Sequence, residues 1–195
     1  MIFKTIIGFV ASIIICSLIF ITSCSQKIRL NVEKITPLKS FYDLEANTID
    51  NEEIMMSQFK GKKILIVNVA SECGYTPQYE NLQKLYQNNY NNLYILAFPS
   101  NDFLNQEPGS SSEIKEFCKV NFGIKFDIFE KVSVNGENIH PIYNWLSNKE
   151  LNGWNSQKPS WNFNKYLIDE NGNLIGYWGA AIDPLSDEIL SKITN

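Results

Sequence analysis

An apolar run, Ile64–Val69, limits what this chain can fold into more than any other feature. It consists mainly of β-branched residues, is broken only by Asn68, and is typical of a strand buried on both faces of a sheet. A second apolar run follows at Leu93–Phe98. Between the two runs, apolar side chains keep helical spacing at Tyr79, Leu82, Leu85 and Tyr86. A strand, a helix and a strand within about 35 residues predict a βαβ unit and a sheet that is at least partly parallel.

Further elements are predicted on both sides of this unit. Ser110–Glu113 has the pattern of a capping box, and the helix that it opens carries Ile114, Phe117 and Cys118 on one face and ends at Gly123. Short strands are predicted at Phe41–Leu44, Glu53–Met56, Tyr166–Ile168 and Leu174–Trp178, and further helices at Pro141–Ser147 and Pro184–Ile193. The order β-α-β-α-β-β-α, with a cysteine after the first buried strand, predicts an α/β protein with a thioredoxin-like fold. Its central mixed β-sheet would be flanked by helices in a single domain.

The first residues of the chain belong to a different class of sequence. Lys4 precedes an uncharged apolar stretch at 6–21, and Cys24 follows small residues, which is the layout of a bacterial lipoprotein signal. We therefore expect a signal peptide at 1–23, lipidation of Cys24, a tether at 24–38 and the folded domain at 39–195. An uncleaved anchor helix and simple secretion are the alternatives, since roughly 20 apolar residues suffice to cross a bilayer. All three place the domain outside the cytoplasm; the first two anchor it in the cell envelope, at the periplasm or outer membrane of a two-membrane bacterium.

Charge and cysteine content narrow the functions further. The net charge is −4, Arg29 is the only arginine, and no block of basic residues occurs, so nothing in the sequence indicates a nucleic-acid partner. Cys16 lies in the apolar leader and Cys24 is the expected lipid site, which leaves Cys73 and Cys118 in the domain. An oxidising compartment permits a disulfide between these two without requiring one.

Cys73 lies where a reactive thiol is expected. It follows the buried strand and precedes Thr76-Pro77, a helix start whose first amides and dipole favour negative charge nearby. A thiol reacts as the thiolate, so this position predicts a nucleophile; the alternative is a buried structural cysteine. A thiol-disulfide reductase would carry a second cysteine where Thr76 stands. A lone thiolate instead suits attack on a peroxide, with a distant thiol capturing the sulfenic acid.

Four segments resemble consecutive blocks of the glutathione peroxidase family, in the form with cysteine in place of selenocysteine. They are NVASECGYTPQYENLQKLY, ILAFPSNDFLNQEPGSSSEIKEFC, VSVNGENIHPIYNWL and SWNFNKYLIDENG, and the resemblance extends from about Phe41 to Leu190. It implies reduction of hydrogen peroxide and of organic or lipid hydroperoxides by a tetrad of Cys73, Gln106, Trp161 and Asn162. Cys118 matches the resolving-cysteine position of thioredoxin-dependent members. No cofactor or metal is implied beyond an external thiol reductant.

The resemblance also carries expectations about partners. The scarcity of arginine argues against a clamp for the carboxylates of glutathione, so a thioredoxin-like reductant is favoured over glutathione. The stretch between Trp145 and Trp161 lacks room for the family's oligomerisation loop, which predicts a monomer. His140, the only histidine, is expected to be structural, because it has no partners at metal-site spacing. The alternative function is a peroxide sensor that passes the oxidation of Cys73 to a client protein.

Overall fold

A five-stranded mixed sheet forms the centre of the molecule. The computed structural model describes residues 36–89 and 91–194, which belong to one compact unit, Lys34–Asn195; the predicted signal peptide and most of the tether lie outside the described residues. The strands are β1 (Glu45–Asn47), β2 (Glu53–Met55), β3 (Lys63–Val69), β4 (Leu93–Pro99), β5 (Asp127–Ile128), β6 (Lys165–Ile168) and β7 (Leu174–Trp178). The helices are α1 (Gln78–Asn89), α2 (Ser111–Phe122), α3 (Pro141–Leu146), α4 (Lys149–Asn152) and α5 (Asp187–Thr194).

The central strand of the sheet is β3. The order is β5-β4-β3-β6-β7, with β3 parallel to β4 and antiparallel to β6, while β1 and β2 form a separate antiparallel pair. All seven residues of β3 are buried. Ile64 and Ile66 point into one core, and Leu65, Val67 and Val69 into the other. A strand with both faces covered explains why the run is almost uninterrupted in its apolar character.

Helices cover both faces of this sheet. On one face, α1, α2 and α5 contribute buried side chains to a core that also contains Cys73 and Cys118. On the other face, α3 packs with Ile142, Tyr143 and Trp145 against Phe41 and Tyr166. The prediction of a mixed sheet flanked by helices in one domain is therefore confirmed.

The local signals that open and close α2 act as predicted. The Ser110 hydroxyl accepts from the amide of Glu113 at 3.5 Å, and the Glu113 carboxylate accepts from the amide of Ser110 at 2.7 Å. Gly123 ends the helix in the left-handed region, at φ +59°. Such a residue at a helix C-terminus is normally glycine, because a side chain there is strained.

Several predicted bounds are wrong. Phe41–Asp43 is a 3₁₀ turn capped by Ser40 and not a strand, and the strand begins at Glu45. Phe41 and Tyr42 are both buried, and a turn can direct neighbouring side chains into one core, whereas a strand sends them to opposite faces. The last helix begins at Asp187, three residues after the predicted start, and the short elements β5 and α4 carry too few residues for a recognisable period.

Within the described residues, none of the helices has the length and apolar character needed to cross a bilayer.

Candidate active site

Three loops meet at one edge of the sheet, and they carry the four residues of the predicted peroxide-reducing tetrad. Because β3 and β4 are parallel, the loops that follow them start at the same edge. Because β6 is antiparallel to β3, the segment that precedes β6 arrives there too. The first loop carries Cys73, the second carries Gln106, and the third carries Trp161 and Asn162.

Thr76 braces the turn on which Cys73 lies. Its hydroxyl accepts a hydrogen bond from the Cys73 amide at 3.1 Å and donates one to the Ala70 carbonyl at 2.8 Å. It therefore does not cap α1 as predicted, and α1 begins at Gln78, one residue after Pro77. The position that holds the second cysteine in a thiol-disulfide reductase is occupied here by a buried residue that shapes the turn.

The Cys73 sulfur is 3.4 Å from the backbone nitrogen of Tyr75, whose N–H donates to it. The amides of Thr76, Gln78 and Tyr79 bond to carbonyls three residues earlier, so they are not the free helix-start donors that the sequence suggested. Cys73 as a whole is 7% exposed, so little of this residue is accessible to a peroxide in this conformation. Within the described residues, one backbone donor therefore faces a largely buried sulfur.

Gln106 and Asn162 contact each other directly. The Asn162 side-chain nitrogen donates to the Gln106 side-chain oxygen at 3.1 Å. This bond occupies Asn162 Nδ2. Among the described residues, the Gln106 –NH₂ group has no hydrogen-bond acceptor, and Asn162 Oδ1 is buried without a partner. The carbonyl of Gln106 also accepts from the amide of Glu72 at 3.0 Å, which ties it to the residue before Cys73.

Trp161 is joined to the Gln106 loop by ring packing. Its ring centroid lies 5.5 Å from that of Phe103 in a tilted arrangement, within the range of favourable aromatic pairs. Trp161 and Tyr75 also line an open cavity of about 480 Å³, together with Ser160, Gly179, Ala180, Ala181 and Ile182. This cavity gives access to the surface beside the Cys73 loop.

Asn68 is a site residue that the sequence analysis did not identify. It lies in β3 and is fully buried. Its side-chain nitrogen donates to the Trp161 carbonyl at 2.9 Å, and its side-chain oxygen accepts from the Asn164 backbone amide at 3.0 Å. Its backbone carbonyl accepts from Phe163, which has the left-handed φ of +64°. The signal was available, since Asn68 is the one polar interruption of the apolar run.

Cys118 is completely buried in α2, and within the described residues both cysteines are free thiols. Burial raises the pKa of the Cys118 thiol to about 11, with a smaller opposing effect from Tyr79. The two cysteines and Tyr79 contribute to the same core cluster. In this conformation Cys118 is therefore protonated and shielded from solvent.

Glu107 is the second residue that the sequence analysis did not identify. It follows Gln106, is 1% exposed, and accepts from the Ser71 hydroxyl at 3.3 Å. Burial raises the pKa of its carboxyl group to about 7, against hydrogen bonds from Ser71 that lower it. A buried acid next to a predicted catalytic amide carries no signal in sequence, because an isolated glutamate is normally exposed.

His140 caps α3, where its Nδ1 accepts from the Ile142 amide at 3.3 Å. In the part of the chain that the structure describes, no group of three or more His, Cys, Asp or Glu side chains could hold a metal ion.

Solved structures first define the class of fold. The chain superposes on a thioredoxin-like protein from Aeropyrum pernix at a TM-score of 0.53 and 13% identity, over 78% of this chain and 88% of that one. It superposes on the apo form of Trgpx at a TM-score of 0.62 and 33% identity, over 81% of this chain and 97% of that one. The fold is thioredoxin-like.

The sequence comparisons then define the family. The glutathione peroxidase family profile matches residues 41–147. A glutathione peroxidase from Lactococcus lactis is 44% identical over 74% of this chain and 92% of its own length. A glutathione peroxidase-like peroxiredoxin from Saccharomyces cerevisiae is 42% identical over 80% and 98%, and a hydroperoxy fatty acid reductase from Synechocystis is 42% identical over 79% and 94%. The chain belongs to the glutathione peroxidase family, a family of peroxidases.

Removing the Asn68 amide should weaken both the fold and the site. Asn68→Leu leaves the Asn164 backbone amide buried without a partner and removes one of the two hydrogen bonds to the Trp161 carbonyl, whose other donor is the Asn164 side chain. The free energy of unfolding should therefore fall by about 1–3 kcal/mol. The peroxidase rate should fall as well, because the loop of Trp161 and Asn162 loses its anchor. Urea unfolding and initial rates measure the two effects.

Ile66→Val in the same strand is the matched control for that change. It should lower stability by about 1 kcal/mol and leave the rate unchanged, because it removes one methyl group and no hydrogen bond. An Asn68→Leu protein with wild-type stability and rate would contradict the anchoring role.

Proposed function

We propose that this chain reduces hydrogen peroxide and organic hydroperoxides through Cys73 as the peroxidatic residue and Cys118 as the resolving residue. The observation that carries the proposal is the contact between Gln106 and Asn162 at 3.1 Å, on loops that the Glu72–Gln106 bond fastens to the Cys73 turn. Two amide side chains next to the loop of a buried thiol form a neutral polar site for a reaction in which negative charge moves from sulfur to oxygen.

In the first step, the Cys73 thiolate attacks the terminal oxygen of the hydroperoxide. A sulfur–oxygen bond forms and the oxygen–oxygen bond breaks; the alcohol or water oxygen leaves with the electron pair and takes up a proton. Cys73 becomes a sulfenic acid. The Gln106 amide and the Trp161 indole N–H are donors that can stabilise the thiolate before the attack and the departing oxygen after it. Asn162 holds Gln106 in place through its hydrogen bond.

In the second step, the thiolate of Cys118 attacks the sulfur of the Cys73 sulfenic acid. A disulfide forms, and the hydroxide that leaves becomes water on protonation. Cys118 is buried within α2 in the free-thiol form, so this step requires the helix to open around it. Cys118 lies four residues before the end of α2, and its carbonyl accepts from the amide of the cap residue Gly123 and from that of Ile124, the latter at 3.3 Å. Opening from this end disrupts the fewest helical hydrogen bonds.

A dithiol reductant completes the cycle by reducing the Cys73–Cys118 disulfide. A thioredoxin-like protein is favoured over glutathione, since the single arginine leaves few partners for the carboxylates of glutathione. Two relatives are named glutathione peroxidase-like peroxiredoxins, and these names support the assignment. The Synechocystis relative supports organic hydroperoxides as substrates, and the open cavity beside Trp161 offers apolar surface for them.

Turnover assays with substituted proteins test this assignment. Peroxide consumption with thioredoxin, its reductase and NADPH should be abolished by Cys73→Ser and by Cys118→Ser, because each removes one half of the disulfide. Turnover with glutathione that survives Cys118→Ser would overturn the resolving role. Stoichiometric oxidation of Cys73 without turnover on either reductant would favour the sensor function instead.

We also propose that the enzyme is anchored in the cell envelope. Residues 1–23 are a lipoprotein-type signal peptide, Cys24 carries the lipid, and 24–38 tether the monomeric domain 39–195 to the cell envelope outside the cytoplasm. The charge pattern of the sequence supports this arrangement, with Lys4 before an uncharged stretch and small residues before Cys24.

Lipid labelling tests the location. Cells that express the full chain should incorporate labelled palmitate into the protein, and Cys24→Ala should abolish the label because no acceptor thiol remains at the cleavage site. Cys16→Ala is the matched control and should keep the label. A membrane-bound protein without label would show an uncleaved anchor, and release into the medium would show secretion.

A further inference from the structure

A carboxyl group is buried between two of the loops, and no lysine or arginine among the described residues bonds to its side-chain oxygens. Glu107 is 1% exposed, and its Oε1 has no hydrogen-bond donor among the described residues. The nearby ammonium group of Lys131 donates to the backbone carbonyls of Glu107 and Gly109, at 3.0 and 2.8 Å, and not to the carboxylate. Burying a carboxyl group without a partner is costly, so the contacts that it does make are informative.

The contact that Glu107 makes joins the two loops. Its Oε2 accepts from the hydroxyl of Ser71, which lies two residues before Cys73, at 3.3 Å. Glu107 itself directly follows Gln106. The backbone bond from Glu72 to the Gln106 carbonyl runs alongside, at 3.0 Å. Two hydrogen bonds therefore cross between the loops, one from a side chain and one from the backbone.

The position of Glu107 within its own loop is also fixed. Its amide donates to the side-chain oxygen of Asn101 at 2.8 Å, and the Asn101 side-chain nitrogen donates to Asn105. Leu104 and Asn105 adopt the left-handed φ of +53°. For Leu104 this conformation is strained, so the loop holds its shape only while its surroundings hold it.

We propose that Glu107 is a positioning residue of the peroxide-reduction step, whose carboxyl group, bonded to Ser71, holds the Gln106 loop against the Cys73 loop. This inference rests on the proposed function of Cys73 and Gln106. Glu107 acts because its side-chain oxygen accepts a hydrogen bond in a buried position. Its contribution therefore depends on where that acceptor oxygen lies. An amide oxygen in the same place serves the same purpose.

Four variants separate this role from a merely structural one. Glu107→Gln keeps the acceptor, Glu107→Leu keeps the bulk and removes the acceptor, and Ser71→Ala removes the donor. Glu116→Gln is the matched control, because Glu116 lies exposed in α2, outside both loops, and the same change of side chain there touches neither of the two hydrogen bonds. All four are made in the full chain that carries Cys118→Ser, so that only the oxidation of Cys73 is observed.

The measurement is the rate at which hydrogen peroxide converts Cys73 to the sulfenic acid, trapped with dimedone and quantified by peptide mass spectrometry. Glu107→Leu and Ser71→Ala should each slow this rate about tenfold, the effect of losing one hydrogen bond at the site. The double variant should be no slower than Glu107→Leu, because both changes remove the same bond. Glu107→Gln and Glu116→Gln should remain within about threefold of the parent.

Three results would overturn the proposal. They are a Glu107→Leu rate equal to that of the parent, a Glu107→Gln rate as low as that of Glu107→Leu, and effects of Ser71→Ala and Glu107→Leu that multiply. Should Glu107→Leu fail to fold, as judged by its thermal melting, Ser71→Ala and Glu107→Gln decide the matter. A parent protein that forms no sulfenic acid at Cys73 would refute the proposed function itself, whereas normal oxidation in every variant would refute the role of Glu107 alone.

Discussion

The pairing of β3 with its two neighbours is the constraint on which the rest of the site depends. Parallel pairing with β4 directs two chain segments to the same edge, and antiparallel pairing with β6 brings a third segment to it. A shift by one residue in either register would turn every side chain of the moved strand to the other face. Asn68 fixes one of these registers with side-chain bonds that span β3 and the segment before β6. The site is therefore assembled by the sheet, and its loops are held by buried polar contacts.

The burial of Cys118 limits when its thiol can react. A thiol with a pKa of about 11 in a packed core is unreactive, and in the proposed cycle this protects Cys118 until Cys73 has been oxidised. Exposing a small apolar side chain costs on the order of 1–2 kcal/mol. Opening the end of α2 adds the cost of breaking the hydrogen bonds of one helical turn. Costs of this size are compatible with local unfolding in a stable domain. In the proposed cycle, the resolving step therefore requires opening of the helix.

The sequence was sufficient for the architecture and for naming candidate site residues, but not for the contacts between them. The run at Ile64–Val69 predicted the buried central strand, and the capping box predicted α2, because each depends on a strong local pattern. The turn at Phe41–Asp43 was mistaken for a strand, because burial in that turn is decided by tertiary packing. The resemblance named Cys73, Gln106, Trp161 and Asn162, but the supporting roles of Asn68 and Glu107 appear only when distant loops come together. Hydrogen bonds that link residues 36 or more positions apart leave no period in a sequence.

Peptide mapping of the oxidised protein tests the central claim most directly. The reduced full chain is treated with a small excess of hydrogen peroxide, at least two equivalents, so that an unresolved sulfenic acid can be oxidised further. Its remaining thiols are alkylated, and it is digested without reductant for mass spectrometry. The account predicts a disulfide-linked pair of peptides that contain Cys73 and Cys118. A Cys73 peptide oxidised to the sulfinic acid, together with an alkylated Cys118 peptide, would contradict it, because the resolving thiol would then have failed to reach the sulfenic acid.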